Sequence, residues 1–165
     1  MKSLHVVLYQ PEIPQNTGNI ARTCAAVGAK LHLIKPLGFS TEDRYLKRAG
    51  LDYWNLVDVH YYEKLSKLFS LYPKGSFAFL TKKASQSYDK IHMSGDIFLI
   101  FGSETSGLPE SLLDQNEDRC FRIPMVKEAR SLNLSNSVAV VVYEVLSQHD
   151  FLGLKIVGDK VEPKN

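Results

Sequence analysis

Three short polar stretches carry residue types able to do chemistry. The first, Asn16-Thr17-Gly18-Asn19-Ile20-Ala21-Arg22, holds two amides and a guanidinium. The second, Phe101-Gly102-Ser103-Glu104-Thr105-Ser106-Gly107-Leu108-Pro109, places a carboxylate and three hydroxyls between two glycines. The third, Arg130-Ser131-Leu132-Asn133-Leu134-Ser135-Asn136-Ser137, joins a cation to a run of helix-capping residues. Gly102 and Gly107 let the backbone turn tightly and bring its amides against a ligand, a pattern that a plain Gly-rich turn shares. Arg22 stands three residues from Asn19 and so on one helical face with it, opposite Ile20 and Cys24. Its planar fork suits a phosphate or a ribose hydroxyl, and a helix start nearby adds amide donors for an anion; a solvated surface arginine has the same spacing.

Several chemistries are excluded by what surrounds these residues. Gly107 is followed by Leu108 and Pro109 where a phosphate loop requires a lysine and a hydroxyl residue, and no Gly-x-Gly-x-x-Gly follows an apolar run. Ser87-Tyr88-Asp89-Lys90 fits Ser-x-x-Lys but lacks that motif's partners. The five histidines, His5, His32, His60, His92 and His149, show no metal-ligand spacing, so no metal is expected. Two cysteines, Cys24 and Cys120, are too few for a disulfide framework and point to the cytoplasm.

The elements that position the three stretches are legible in outline. Leu4 to Tyr9 reads as a buried strand ended by Pro11 and Pro14, and Asn16 or Thr17 as the cap of a helix carrying Ile20, Cys24 and Val27 and stopped by Gly28. Leu31 to Ile34 follows as a strand, then Arg44 to Gly50 as a short basic helix, Val57 to Tyr61 as a strand, and Glu63 to Leu71 as a helix with Leu65, Leu68 and Phe69 inward. Strands at Phe77 to Leu80 and Asp96 to Phe101, a helical turn from Pro109 to Leu113, and a strand from Cys120 to Ile123 complete the series. Leu134, Val138, Val141, Val142 and Val145 fall on one face of a last helix, whose Ser/Asn-rich start outweighs its β-branched content. Such alternation predicts an α/β fold with a mostly parallel sheet flanked by helices, and ligands at the carboxyl ends of its strands. The apolar excess of Val138 to Leu146 suits either deep burial or a second subunit.

At 165 residues, with 44% hydrophobic and 23% charged residues, the chain is expected to form one domain, 1–165, with a frayed tail over 158–165. A net charge of +2 is too small for a protein that coats nucleic acid, so any RNA contact must use local clusters, among them Lys82 with Lys83 and the run Arg119, Arg122, Lys127, Arg130. No apolar run approaches the roughly 20 residues that span a bilayer.

Asn16-x-Gly18-Asn19-Ile20-x-Arg22, Phe101-Gly102-Ser103-Glu104-x-x-Gly107-Leu108-Pro109, and Arg122-Ile123-Pro124-Met125 with Ser131-x-Asn133-Leu134-Ser135 resemble, in order and spacing, the three motifs of SPOUT-class RNA 2′-O-methyltransferases. Leu8-Tyr9-Gln10-Pro11-Glu12-Ile13-Pro14 and Arg48-Ala49-Gly50-Leu51-Asp52-Tyr53 resemble more narrowly the branch that methylates the wobble cytidine or uridine of tRNA. The resemblance covers roughly residues 4 to 150. It implies a C-terminal trefoil knot, which composition would never suggest. It also implies S-adenosylmethionine held near Leu80, Gly102, Ile123, Met125, Ser131 and Leu132; Arg22 at the target ribose; and Asn16, Glu104 and Asn133 arranging the loops. Arg48, Lys82, Lys83 and Arg130 would then hold the phosphates of an anticodon loop, and the protein would act as a homodimer on tRNA. Methylation of another tRNA position or of ribosomal RNA, and RNA binding without turnover, are the alternatives, because the motifs do not choose the substrate.

Overall fold

Leu4, Val6 and Leu8 point to one side of the first strand and His5 and Val7 to the other, and all five are buried. A strand buried on both faces must lie inside a covered parallel sheet. The computed structural model describes residues 1–40, 54 and 56–158, and its strands are β1 (Ser3–Tyr9), β2 (Lys30–Ile34), β3 (Val59–Tyr62), β4 (Ser76–Leu80), β5 (Gln86–Ser87), β6 (Asp96–Phe101) and β7 (Cys120–Arg122). They form one parallel sheet in the order β3-β2-β1-β6-β4-β7-β5. From β1 the chain steps outward to β2 and β3, then returns to the other side of β1 for β4. β6 is inserted between β1 and β4, so the switch in winding direction, where parallel sheets build their crevices, falls over β1, β6 and β4.

Helices α1 (Pro14–Val27) and α4 (Leu134–Ser147) pack together on one face; α2 (Leu65–Leu71) and the short α3 (Glu110–Asp114) bear on the other. The spacing of α1 is as expected, with Ile20, Ala21, Cys24 and Val27 buried and Gly28 closing it at φ +69°. Its start is not. Pro14 occupies the first turn and Ile13 the cap position, because a proline whose φ is already helical nucleates the turn before any side-chain cap is needed. Asn16 and Thr17 therefore lie inside the helix, and the Asn16 amide is released for another use.

α4 is a helix despite its valines. The Asn133 side chain accepts from the amides of Ser135 and Asn136, and Val138, Val141, Val142 and Val145 form a buried stripe. Burying each of these side chains is worth roughly 1.5–3 kcal/mol, which overrides weak intrinsic propensity. Most of the apolar excess of this helix is thus used within the chain, while Val140 and Tyr143 stay exposed.

Smaller differences lie at element ends. β3 is Val59–Tyr62 rather than Val57 to Tyr61, α2 begins at Leu65, Pro109 caps α3 from outside, and β7 stops at Arg122. The basic helix over 44–50, Arg48 within it, and residues 159–165 of the tail lie outside the described residues; Gly158 is exposed. Among the described residues no helix is long and apolar enough to cross a membrane.

Candidate active site

Each loop at the site leaves the carboxyl end of a strand or leads into the helix that follows. The loop after β6 is the tightest. Gly107 has φ +71° and its amide donates to the Ser103 carbonyl at 3.0 Å, while a Cβ on Gly102 would fall 2.1 Å from the Gly107 carbonyl carbon. Glycine is therefore obligatory at 102 for close approach and favoured at 107 for its left-handed backbone. The Ser103 hydroxyl accepts from the Ser106 amide at 3.2 Å, which steadies the turn from within.

That turn presents Glu104 to the loop after β1. Glu104 Oε2 accepts from the Glu12 amide at 2.8 Å, and Oε1 accepts from the Ile13 amide at 3.2 Å and from Asn16 Nδ2 at 2.9 Å. Asn16 Oδ1 then accepts from Asn133 Nδ2 at 2.9 Å, and Asn133 Oδ1 accepts from the Ser135 amide at 2.8 Å and the Ser135 hydroxyl at 2.6 Å. A single chain of hydrogen bonds thus joins the three polar stretches, 88 and 117 residues apart in sequence at its two long links. Each amide in it uses donor and acceptor ends for different partners, so neither asparagine can rotate without breaking a link. The Thr105 hydroxyl donates to the Glu12 carboxylate and closes the same corner.

Over this network lies a cleft of about 510 Å³, within the ~300–1,000 Å³ usual for small-molecule sites. It gathers Leu80, Gly102, Ile123, Met125, Ser131 and Leu132, all expected to hold a cofactor, with Asn16, Glu104 and Asn133 beside them. Phe101, Leu113 and Phe121 add buried apolar surface. Backbone groups of irregular loops over an apolar base suit a flat heteroaromatic ring with a polar tail, so the lining fits an adenosine derivative.

Lys82, Lys83 and Arg130 line the cleft as well. Lys83 is 2.7 Å from Glu110, whose carboxylate holds the ammonium above its usual range. Arg22 is exposed two turns along α1, on the same side as exposed Asn19, and is not part of the cleft lining. Sequence reasoning missed Glu12 and Ile13 as working parts of the site. Their signal was the pair of prolines flanking them, which fixes a rigid approach to α1.

A parallel α/β sheet with a cleft at its switch point, closed by a three-loop amide and carboxylate lock, is the architecture of a small-molecule-binding α/β enzyme. Residues 3–143 match the family model described as the SpoU rRNA methylase family, and the chain belongs to that family. A Bacillus subtilis (strain 168) relative, provisionally named a tRNA (cytidine(34)-2′-O)-methyltransferase, is 58% identical over 156 residues, covering 93% of this chain and 98% of its own. A Methylovorus glucosotrophus (strain SIP3-4) relative with that name unqualified is 50% identical over 150 residues, covering 90% and 97%. A solved structure described as giving structural insights into the 2-OH methylation of C/U34 on tRNA superposes with TM-score 0.85 at 42% identity, covering 90% of this chain and 97% of that one. The SpoU methyltransferase AviRb from Streptomyces viridochromogenes, in complex with the cofactor AdoMet, shares the fold at TM-score 0.79 and 20% identity, over 93% of this chain and 60% of its own.

Proposed function

We propose that this protein methylates the ribose 2′-hydroxyl of the wobble nucleotide, cytidine or uridine, in the anticodon loop of tRNA. The observation that carries the reading is the Glu104–Asn16–Asn133 chain, which closes three distant motif loops over one cleft in a member of a methylase family. The names of relatives at 50–58% identity agree with it.

Leu80, Gly102, Ile123, Met125, Ser131 and Leu132 would hold S-adenosylmethionine, the first two and Ile123 through backbone at strand ends. When bound there, S-adenosylmethionine supplies a methyl carbon on a sulfonium, so the chain's own residues are left with alignment and the disposal of one proton. Alignment can supply roughly 7–11 kcal/mol of a barrier when the reacting groups are held in line. The Asn16, Glu104 and Asn133 lock keeps the loops in that geometry. Arg22 binds the phosphate beside the target ribose and orients the hydroxyl; a guanidinium holds its proton too tightly to act as the base, so the proton passes to phosphate or water. Lys82, Lys83, Arg130 and Arg48 hold neighbouring phosphates of a single-stranded loop, where bases splay and 2′-hydroxyls are reachable.

The working form is one domain, 1–165, paired with a second copy through a surface that includes exposed Val140 and Tyr143, in the cytoplasm where tRNA is found. Its C-terminal segment is threaded as a trefoil knot. Support for the threading is the match of residues 3–143 to the SpoU methylase family, the resemblance to which implies it.

Incubation with labelled S-adenosylmethionine and total RNA, followed by mapping of the labelled nucleotide, tests the reaction and its target together. Label at the wobble ribose of tRNA is expected. Label confined to ribosomal RNA, or tight cofactor binding with no transfer to any RNA, rejects the reading. Arg22→Ala should keep cofactor affinity within about two-fold and lose about a hundred-fold or more in turnover.

A further inference from the structure

Two large aliphatic side chains at the mouth of the cleft have no role in the hydrogen-bonded lock. Ile13 and Leu132 line the cleft, yet each leaves 42% of its surface exposed. Neither sits on a loose loop. The Ile13 amide is tied to Glu104 Oε1 at 3.2 Å, and Leu132 immediately precedes Asn133, whose Nδ2 donates to Asn16 Oδ1 at 2.9 Å. Both residues thus sit on backbone held by, or next to, the network that joins the motifs, and both line the same cleft. Single exposed aliphatic residues are ordinary on a surface, but on the lining of a cleft they offer a ligand apolar area to cover.

The covering ligand must suit the rest of the mouth. Lys82 and Arg130 line the same cleft beside the Glu110-paired Lys83, so its occupant is anionic where it meets them and apolar where it meets Ile13 and Leu132. A nucleotide has that division, with phosphates at one end and the two apolar faces of its base at the other. Presenting a ribose hydroxyl to the cleft requires the nucleotide to leave its stack, and an unstacked base loses the contacts of both faces unless the protein replaces one. Resting on the methyl-transfer reading above, we infer that the side chains of Ile13 and Leu132, the latter residue holding the cofactor through its backbone, form an apolar shelf against which the base of the target nucleotide lies. Aliphatic contact covers a ring face and reads no hydrogen-bonding edge. Such a shelf therefore holds cytidine and uridine alike.

Ile13→Ala and Ile13→Leu in the full-length protein test the shelf, with anticodon stem-loop RNAs carrying cytidine, uridine or an abasic ribose at the target position. Ile13→Ala should raise KM about ten-fold on the cytidine and uridine RNAs equally and leave the Kd for S-adenosylmethionine within about two-fold. On the abasic RNA the variant and the wild type should behave alike, and Ile13→Leu should restore most of the lost affinity. Wild-type KM in Ile13→Ala, an equal loss on abasic RNA, or a changed molecular mass by light scattering would overturn the proposal; the last would mean that Ile13 packs on a second copy. Fluorescence anisotropy with the same RNAs reads the shelf without turnover. Base-dependent binding lost in Ile13→Ala, in a protein that transfers no methyl group, keeps the shelf and condemns only the reaction.

Discussion

Two hydrogen-bonded relays among the described residues differ in what they hold together. One is the Glu104–Asn16–Asn133 lock at the carboxyl ends of the strands. The other lies inside the sheet's opposite layer, against α2 and Phe98. There Ser3 Oγ donates to Asp96 at 2.6 Å and contacts His5 Nε2 at 2.8 Å, His5 Nδ1 meets His32 Nε2 at 2.8 Å, and His32 Nδ1 meets the Tyr62 hydroxyl at 3.1 Å. Because a carboxylate only accepts, Ser3 must donate to it and accept from His5. Each imidazole then donates towards Asp96 and accepts from the side of Tyr62, so both histidines are neutral with one tautomer each. The lock joins loops at a surface through two amides and a carboxylate. The buried relay ties β1, β2, β3 and β6 side by side through groups that titrate and that burial forbids to charge. Its disruption should cost the fold, whereas disruption of the lock should cost the reaction.

The largest effect expected from this contrast is in the buried relay. His32→Ala removes a fully buried ring stacked 5.0 Å from both His5 and His60, and leaves His5 Nδ1 and the Tyr62 hydroxyl without their partner. A stability loss of about 3–4 kcal/mol is expected from cavity and unsatisfied polar groups together, with turnover per folded molecule unchanged. Denaturant titration beside single-turnover kinetics checks both halves. The mirror experiment is Glu104→Ala, which strands the Glu12 and Ile13 amides and Asn16 Nδ2 at a solvent-reached site. Turnover should fall about a hundred-fold, as misplacement of about 1 Å can cause, while thermal unfolding moves by only a few degrees.

Acid separates the relays without mutation. Burial above all pushes His5 down to about 4 and His32 down to about 3, with the nearby Lys30 and the neighbouring imidazoles adding to it. The unfolded chain takes up protons below about pH 6.5 while the native chain refuses them, so the contribution of these two histidines to stability is flat above that pH and falls as pH drops, to about 4 for His5 and to about 3 for His32. The slope should be about 1.4 kcal/mol per pH unit for each imidazole. Unfolding free energies measured at several pH values give that slope, and His5→Asn should reduce it.

The lock was far more legible in the sequence than the relay, for a physical reason. Amides, a carboxylate and paired glycines beside apolar runs mark loops, and parallel sheets gather loops at one end, so the stretches holding Asn16, Gly102, Glu104 and Asn133 group together on residue types alone, whereas the cofactor role of Leu80, Ile123, Met125, Ser131 and Leu132 is implied only by the resemblance to the SPOUT class. β1, β2 and β6 were equally plain, as apolar runs bounded by Pro or Gly. His5 and His32 carry no signal beyond their lack of metal-ligand spacing, because their pairing depends on register between β1 and β2, which no local pattern encodes. The two-residue β5 has no apolar period to detect. The start of α1 was misplaced because Asn16 and Thr17 look like caps, when Pro14 had already fixed the turn. The strand order escaped for the same reason as the histidines: β6 pairs with β1 across more than ninety residues, and only long-range packing decides that.

The smallest change sharpens the comparison most. Asn133 does two things at once, capping α4 through Oδ1 and donating to Asn16 through Nδ2. Asp at this position caps a helix as well as Asn, and its charge at the helix N-terminus adds slightly to stability. It has no donor for Asn16. In Asn133→Asp the Asn16 carbonyl would face a carboxylate, and if the amide turned over to present Nδ2 there, Glu104 would lose its donor instead. Thermal stability should therefore stay within about 0.5 kcal/mol of wild type while turnover falls about ten-fold. Asn133→Ala should lose both, with about 1 kcal/mol from the cap alone. Equal turnover in wild type and Asn133→Asp would show that the two motif loops are held by capping and packing, and that the link between the asparagines contributes nothing to the reaction.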